Sequence, residues 1–283
     1  MTIDSIVAPG RVAVITGAAN GIGLAAAERF AGSGMKVCLA DVNDDALEAA
    51  GAAVARKSSV ADVLTVQTDV SRREDVERLK TMAYEKFGEV GFLMSNAGIE
   101  GGGGLFADPV RWKQTLDVNL WGAINVVQVF GPAMIAQGTP GAIVTTGSKQ
   151  GITTPPGDTA YNVSKAGLKV LTEALAHELR NTPDCRLTAH LLIPGFTYTG
   201  LTRAKGVTEK PSGAWTGAQV VDFMLSSMRR GDFYILCPDN DVSRSMDEKR
   251  MRWAAEDIVE NRPALSRWHP DFKDAFERFM KAE

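Results

Sequence analysis

Thr16-Gly17-Ala18-Ala19-Asn20-Gly21-Ile22-Gly23 is the stretch that decides the fold of this chain. It joins a short, β-branched apolar run at residues 11–16 to an alanine-rich segment at 22–32 whose apolar positions fit a helix. Glycines at a strand end and helix start let the backbone turn sharply and approach a pyrophosphate. Free N–H groups and the helix dipole then favour its negative charge. Gly17, Asn20, Gly21, Ile22 and Gly23 are therefore expected to cradle a dinucleotide.

The strand–helix unit repeats along the chain. Strands are expected at 36–40, 63–68, 91–94, 142–146 and 186–193, with helices at 44–56, 72–87, 109–135 and 158–180. Continuous apolar strands alternating with amphipathic helices specify an α/β fold, a doubly wound, Rossmann-type parallel sheet with helices on both faces. After Gly195 a polar loop at 196–216 interrupts the pattern before a helix at 218–229 and a last strand at 233–237. A loop of this length inside a compact domain is usually functional. Beyond Pro238 a charged tail carries helices at 243–260 and from 270 onward, and its Trp253 and Trp268 are expected to be covered by docking on this chain or a partner.

The chain has 283 residues, of which 45% are hydrophobic and 23% charged, and its net charge is -3. Acidic and basic residues are interleaved, which argues against a nucleic-acid or anionic-membrane partner and for a small-molecule ligand. No apolar run reads as a bilayer span and no leader pattern opens the chain, so a cytoplasmic location is expected. Cys38, Cys185 and Cys237 lack paired spacing and read as small hydrophobes. His177, His190 and His269 lack metal spacing, so no metal is expected.

Asp41 ends the second strand, where a carboxylate accepts hydrogen bonds from ribose hydroxyls and repels a 2′-phosphate, which favours NAD over NADP. Asp69, beside Val70 at the end of the third strand, either initiates the next helix at Ser71 or meets the adenine. In Tyr161-Asn162-Val163-Ser164-Lys165 the tyrosine and lysine share a helix face, so an ammonium near a phenol favours the anion and creates a proton acceptor.

With Asn96-Ala97-Gly98 after the fourth strand, these motifs in this order resemble the classical short-chain dehydrogenase/reductase family from about residue 10 to residue 200. The usual double Asn is Ser95-Asn96 here. The resemblance implies that Asn96, Ala97 and Gly98 line the adenosine side. It assigns Ser148 to hold the substrate oxygen, although Gly147 stands where a second serine is common. It implies that Asn119 distorts its helix and positions a water linking Lys165 to solvent. It places Pro194, Gly195, Thr197 and Thr199 at the nicotinamide carboxamide. Tyr161 is then the acid or base, and Lys165 its pKa tuner and ribose anchor.

The expected activity is hydride transfer between NAD and a secondary alcohol or ketone by residues 1–238, with 239–283 as a helical extension. Homodimers or homotetramers are implied through the helices holding Asn119 and Tyr161. Two rivals are a non-catalytic nucleotide-binding regulator on the same fold and an NADP-preferring carbonyl reductase. A dehydratase or epimerase is a third, against which the 196–283 region is small. The segment around Gly101 to Gly104, the side chains after Ser148 and the loop from Phe196 to Trp215 are expected to shape the pocket, and Phe106, Ile152, Pro155, Pro156, Phe196, Tyr198 and Trp215 are expected to suit it to an apolar or aromatic substrate.

Overall fold

The computed structural model describes residues 2–200, 202 and 206–281, so part of the predicted loop and the last two residues of the predicted terminal helix lie outside the described residues. Strands β1 (Val12–Thr16), β2 (Lys36–Asp41), β3 (Val63–Gln67), β4 (Phe92–Ser95), β5 (Gly141–Thr146), β6 (Leu187–Ile193) and β9 (Tyr234–Leu236) form a parallel sheet in the order β3-β2-β1-β4-β5-β6-β9. Between β6 and β9 lie two further strands, β7 (Thr197–Tyr198) and β8 (Trp215–Thr216), paired in parallel. This is the doubly wound sheet expected from the repeating unit.

Successive side chains of a strand point to opposite faces, and the core divides accordingly. Ala13 and Ile15 pack on one face with Phe92, Met94 and Val144, against α1 (Gly21–Gly32) and α8 (Gly217–Arg229). Val14 packs on the other face with Leu93 and Ile143, against α3 (Arg73–Phe87), α5 (Gly122–Ala136) and α7 (Thr159–Asn181). Both faces are covered, which is why β1 and β5 are buried at every position. The remaining elements are α2 (Asp44–Ala55), α4 (Pro109–Leu116) and α6 (Gln150–Thr153), with α9 (Arg244–Val259) and α10 (Lys273–Lys281) in the tail.

The helical run Pro109–Ala136 departs from one expectation and, around Asn119, shows a distortion where the resemblance placed one. By length and composition it is apolar enough to cross a membrane, but its inner face is sheet core, carrying Val126, Phe130 and Met134. It is also not one α-helix, because a π-helical segment, Asp117–Trp121, separates α4 from α5. Such single π turns insert an extra residue and re-aim a side chain, here bringing the buried Asn119 to Ile99.

The tail docks on its own chain through Met251, which packs with Ile152 against Leu191 and Leu236, and it covers Trp253 with its own residues. Trp253 of α9 is buried under Phe276 and Phe279 of α10, donates from Nε1 to Ser266 Oγ at 2.7 Å, and lies beneath the Arg262 guanidinium. Trp268 is less covered, 39% exposed, with the Arg267 guanidinium over its ring.

Phe30 of α1 is fully buried, with its ring 4.6 Å from that of Phe92. Phe30→Ala is expected to lower unfolding free energy by about 3–5 kcal/mol, measured by urea denaturation. A loss well under ~1 kcal/mol would contradict this packing.

Candidate active site

In a doubly wound sheet the crevice opens at the carboxyl ends of the strands where the strand order reverses. Here that point lies between β1 and β4. A groove of about 990 Å³ runs along it, and every predicted site residue lines it except Gly23 and Asn119. Those two sit behind the wall. A Cβ at Gly23 would lie 2.2 Å from the Gly17 carbonyl oxygen, so only glycine lets α1 start so close to β1. Gly17 itself has φ +65°, and a Cβ there would meet the Ala97 backbone at 2.8 Å.

The first turn is held from both sides. Asp41 accepts from the Ala19 amide at 3.0 Å and, with its other oxygen, from the Asn43 amide at 3.1 Å. The aspartate thus initiates the next turn and also faces the groove. Asp69 likewise accepts from the Ser71 amide and hydroxyl while lining the groove beside Val70. Asn20 accepts from the Gly200 amide at 3.2 Å, tying the first turn to the 196–216 loop.

Asn96 knits the floor. Its amide nitrogen donates to the Thr16 and Gly17 carbonyls, and its oxygen accepts from Thr146 Oγ1 at 3.1 Å. Asn119 accepts from the Ile99 amide at 2.7 Å and donates to the Ile99 carbonyl and Ser164 Oγ. It therefore locks the segment after Gly98 to α7.

Asp158 caps α7, accepting from the Tyr161 amide and also from the amides of Gly101 and Gly103. The glycine-rich segment is pinned to the helix start, and a Cβ on Gly102 would strike Ala160 at 2.4 Å. In the first turn of α7, the buried Tyr161 phenol lies near enough to the Ser148 side chain for that hydroxyl to favour its ionised form. Lys165, also buried, donates from Nζ to the Thr146 carbonyl at 2.8 Å and lies 5.5 Å from the Tyr161 ring centroid.

The electrostatics correct the simple picture of an ammonium lowering a phenol. Burial pushes the Tyr161 phenol up, Glu100 and Asp158 push the same way, and only Ser148 pulls it down. Burial also lowers Lys165, to about 8, against the opposing charge of Glu100. Lys149 and Gln150, the side chains after Ser148, and Glu100, beside the Gly101 to Gly104 segment, line the groove as expected of those segments, whereas Gln114 was missed and carries no spacing signal.

Of the aromatic, aliphatic and proline side chains expected to shape the pocket, Phe196 alone lines the groove. Phe106 is 97% exposed, Ile152 packs toward Leu191 and Ile193, and Trp215 packs on Phe223 while bonding Asn240. Nor do Gly101 to Gly104 reach the groove. The 196–216 loop is closed at its base by the β7–β8 pair and by Trp215 donating its amide to the Phe196 carbonyl. Among the described residues no group of histidine, cysteine and carboxylate side chains could hold a metal.

The profile of the short chain dehydrogenases matches residues 11–210. The chain belongs to the short-chain dehydrogenase family. This short-chain dehydrogenase is 35% identical over 203 residues to the 1-deoxy-11-beta-hydroxypentalenate dehydrogenase of Streptomyces exfoliatus, covering 69% of this chain and 72% of that one. It superposes with TM-score 0.81 on a short-chain dehydrogenase/reductase from Burkholderia phymatum in complex with NAD, at 33% identity over 90% of this chain and 96% of that one. The apo form of LigO from Sphingobium sp. strain SYK-6 matches with TM-score 0.74 at 25% identity, over 96% of each chain.

Lys165 supplies a test that needs no substrate. A lysine lowered to about 8 from 10.5 binds its proton less readily folded than unfolded. Its penalty is full below about pH 8 and is relieved as pH rises toward 10.5. The stability of the wild type relative to Lys165→Met should therefore increase across that window, measured by urea unfolding at each pH. A flat difference would exclude the shift.

Proposed function

We propose that this chain is an NAD-dependent oxidoreductase acting on a secondary alcohol or its ketone. The observation that carries the reading is the convergence of Tyr161, Ser148 and Lys165 in one groove whose far end holds Asp41 and the Gly17 to Gly23 turn. The residues fit a nicotinamide dinucleotide: the turn has no room for a Cβ beside Gly17, and one groove of about 990 Å³ is lined both by that turn and by Tyr161. The neighbour crystallised with NAD supports the same cofactor here.

When bound, the dinucleotide supplies the acceptor or donor of hydride at its nicotinamide ring. Tyr161 exchanges the proton of the substrate oxygen, and the Ser148 hydroxyl fixes that oxygen against the phenol. Lys165, next to Gly98 and bonded to Thr146, holds the ribose and a positive charge beside the phenol. Asn119 keeps the π turn and the Ile99 backbone in place, in support of the proton path through Lys165. Asn20, Asp69, Val70, Asn96, Ala97, Gly98, Pro194, Gly195, Thr197 and Thr199 form the remainder of the cofactor's contacts.

Asp41 would repel a 2′-phosphate, and Val42, exposed beside it, offers no cation, which favours NAD over NADP. Ile99, Phe196 and Val207 support an apolar or aromatic substrate body, with Gln114 and Gln150 meeting a polar edge. We assign residues 1–238 to this chemistry and 239–283 to a helical extension. Homodimers or homotetramers are supported by apolar side chains left exposed on the helices flanking the site, Trp121, Val163 and Val170. Three unpaired thiols support a cytoplasmic location.

With NAD and an alcohol panel, Tyr161→Phe should lower kcat by about a thousandfold or more while NADH affinity stays within about threefold. Retained turnover would remove the assignment. Asp41→Ala combined with Val42→Arg should shift the ratio of kcat/KM for NADP over NAD upward by about a hundredfold. An unchanged ratio would show that the carboxylate does not set the preference.

A further inference from the structure

Lys149 directly follows Ser148 and lines the groove, yet its ammonium does not face open solvent. Its Nζ lies 3.3 Å from Asp239 Oδ2 and 2.5 Å from Asp247 Oδ2, and the three side chains are 16%, 6% and 4% exposed. Arg250, 4.0 Å from Asp247, adds a second cation to the cluster. Asp247 and Arg250 belong to α9 of the tail, and Asp239 lies just after β9.

The same cluster grips the opposite wall. Asp239 Oδ2 accepts from the Phe196 amide at 3.1 Å, and its Oδ1 accepts from the amides of Asp241 and Val242. A Cβ on Gly195 would lie 2.6 Å from Asp239 Oδ2 and 2.9 Å from Lys149 Nζ, so the Gly195 backbone is seated directly on the ion pair. Beneath it Ile152 of α6 and Met251 of α9 pack on Leu191, Ile193 and Leu236.

A buried ion pair resists separation strongly, because either charge left alone in the interior is uncompensated. It also has direction, unlike an apolar contact, so it can fix register between segments that would otherwise slide. The segments fixed here are the one carrying Ser148 and the one carrying Pro194, Gly195 and Thr197, which leave the sheet from neighbouring strands.

We propose that Asp247 and Lys149 are positioning residues: the tail helix α9, through Asp247, clamps Lys149 and thereby holds Ser148 and the Gly195–Phe196 backbone in register across the groove. The proposal rests on the oxidoreductase reading for its kinetic consequence and on geometry alone for its structural one. The tail is then part of the groove's architecture rather than an appendage.

The test compares the full-length chain with Asp247→Asn, Lys149→Met and Asp247→Glu, using hydrogen exchange of the free protein and turnover of NAD with the panel alcohol that the wild type oxidises fastest. In the Asn and Met variants, amide exchange should rise together at 148–153 and 195–198 while the turn at 16–23 is unchanged. Turnover should fall about tenfold or more, with a larger primary deuterium isotope effect on kcat, as expected when the reacting oxygen is held less well. Asp247→Glu should retain most of the turnover. A variant that is only less folded loses kcat with its isotope effect unmoved, and that result, like unchanged exchange at both segments, overturns the proposal. Tyr161→Phe is run in parallel. If it is inactive while Asp247→Asn matches the wild type in exchange and isotope effect, the clamp is wrong and the oxidoreductase reading stands. If Tyr161→Phe stays active, the reading itself falls, and the exchange data still decide the clamp.

Discussion

Thr16 and Asn96 form the junction on which the groove depends. Thr16 Oγ1 accepts from the amides of Asn96 and Ala97, at 3.0 and 3.2 Å, while the Asn96 side chain bonds the ends of both β1 and β5. Strands at a point of reversed order must part at their carboxyl ends, because their connections leave to opposite faces of the sheet. Parting strands expose backbone groups that would go unsatisfied, and these two side chains satisfy them. A crevice with a rigid floor results, and the glycine turn, the Asp41 carboxylate and the Tyr161 helix all take their places relative to it.

A second buried polar unit connects that floor to the helices. Asn119 bonds both Ile99 and Ser164, and Ser164 donates to the Tyr161 carbonyl at 2.7 Å. The π turn at Asp117–Trp121 is the backbone distortion that brings Asn119 inward, and such distortions persist only where surrounding bonds over-determine them. Lys165 sits beside this unit with its charge disfavoured by burial and supported by one carbonyl. The proposed chemistry thus depends on groups whose protonation is set by position in the fold rather than by residue type.

How much could be read in advance differs between sheet and walls. Strands buried on both faces read as unbroken apolar runs, so the sheet was legible to within a residue or two at its ends. The glycine turn and the Tyr161 to Lys165 spacing were legible because steric limits and helical periodicity act over a few residues. The π turn was legible only through the resemblance, which marked Asn119 as the place where its helix distorts, since the bonds from Asn119 to Ile99 that accompany it join distant parts of the chain. Ile152 and Trp215 were read as pocket and instead pack, partly buried, against the core, because an apolar side chain does not encode which apolar surface it will meet. The β7–β8 pair, two residues to a strand, is too short to carry a period.

By itself, then, the sequence determined what short-range physics can enforce: alternating strands and helices, a turn that admits a phosphate, a carboxylate at a strand end, and a phenol and an ammonium on one helix face. Tertiary structure alone decided where the charges go. It buried Lys165 and Tyr161 together, set Glu100 near both, and joined Lys149 to Asp239 and Asp247, partners far away in the chain. The reason is physical: a charge leaves no local pattern, and the energy of a buried one depends on which distant groups the folded chain brings within a few ångströms.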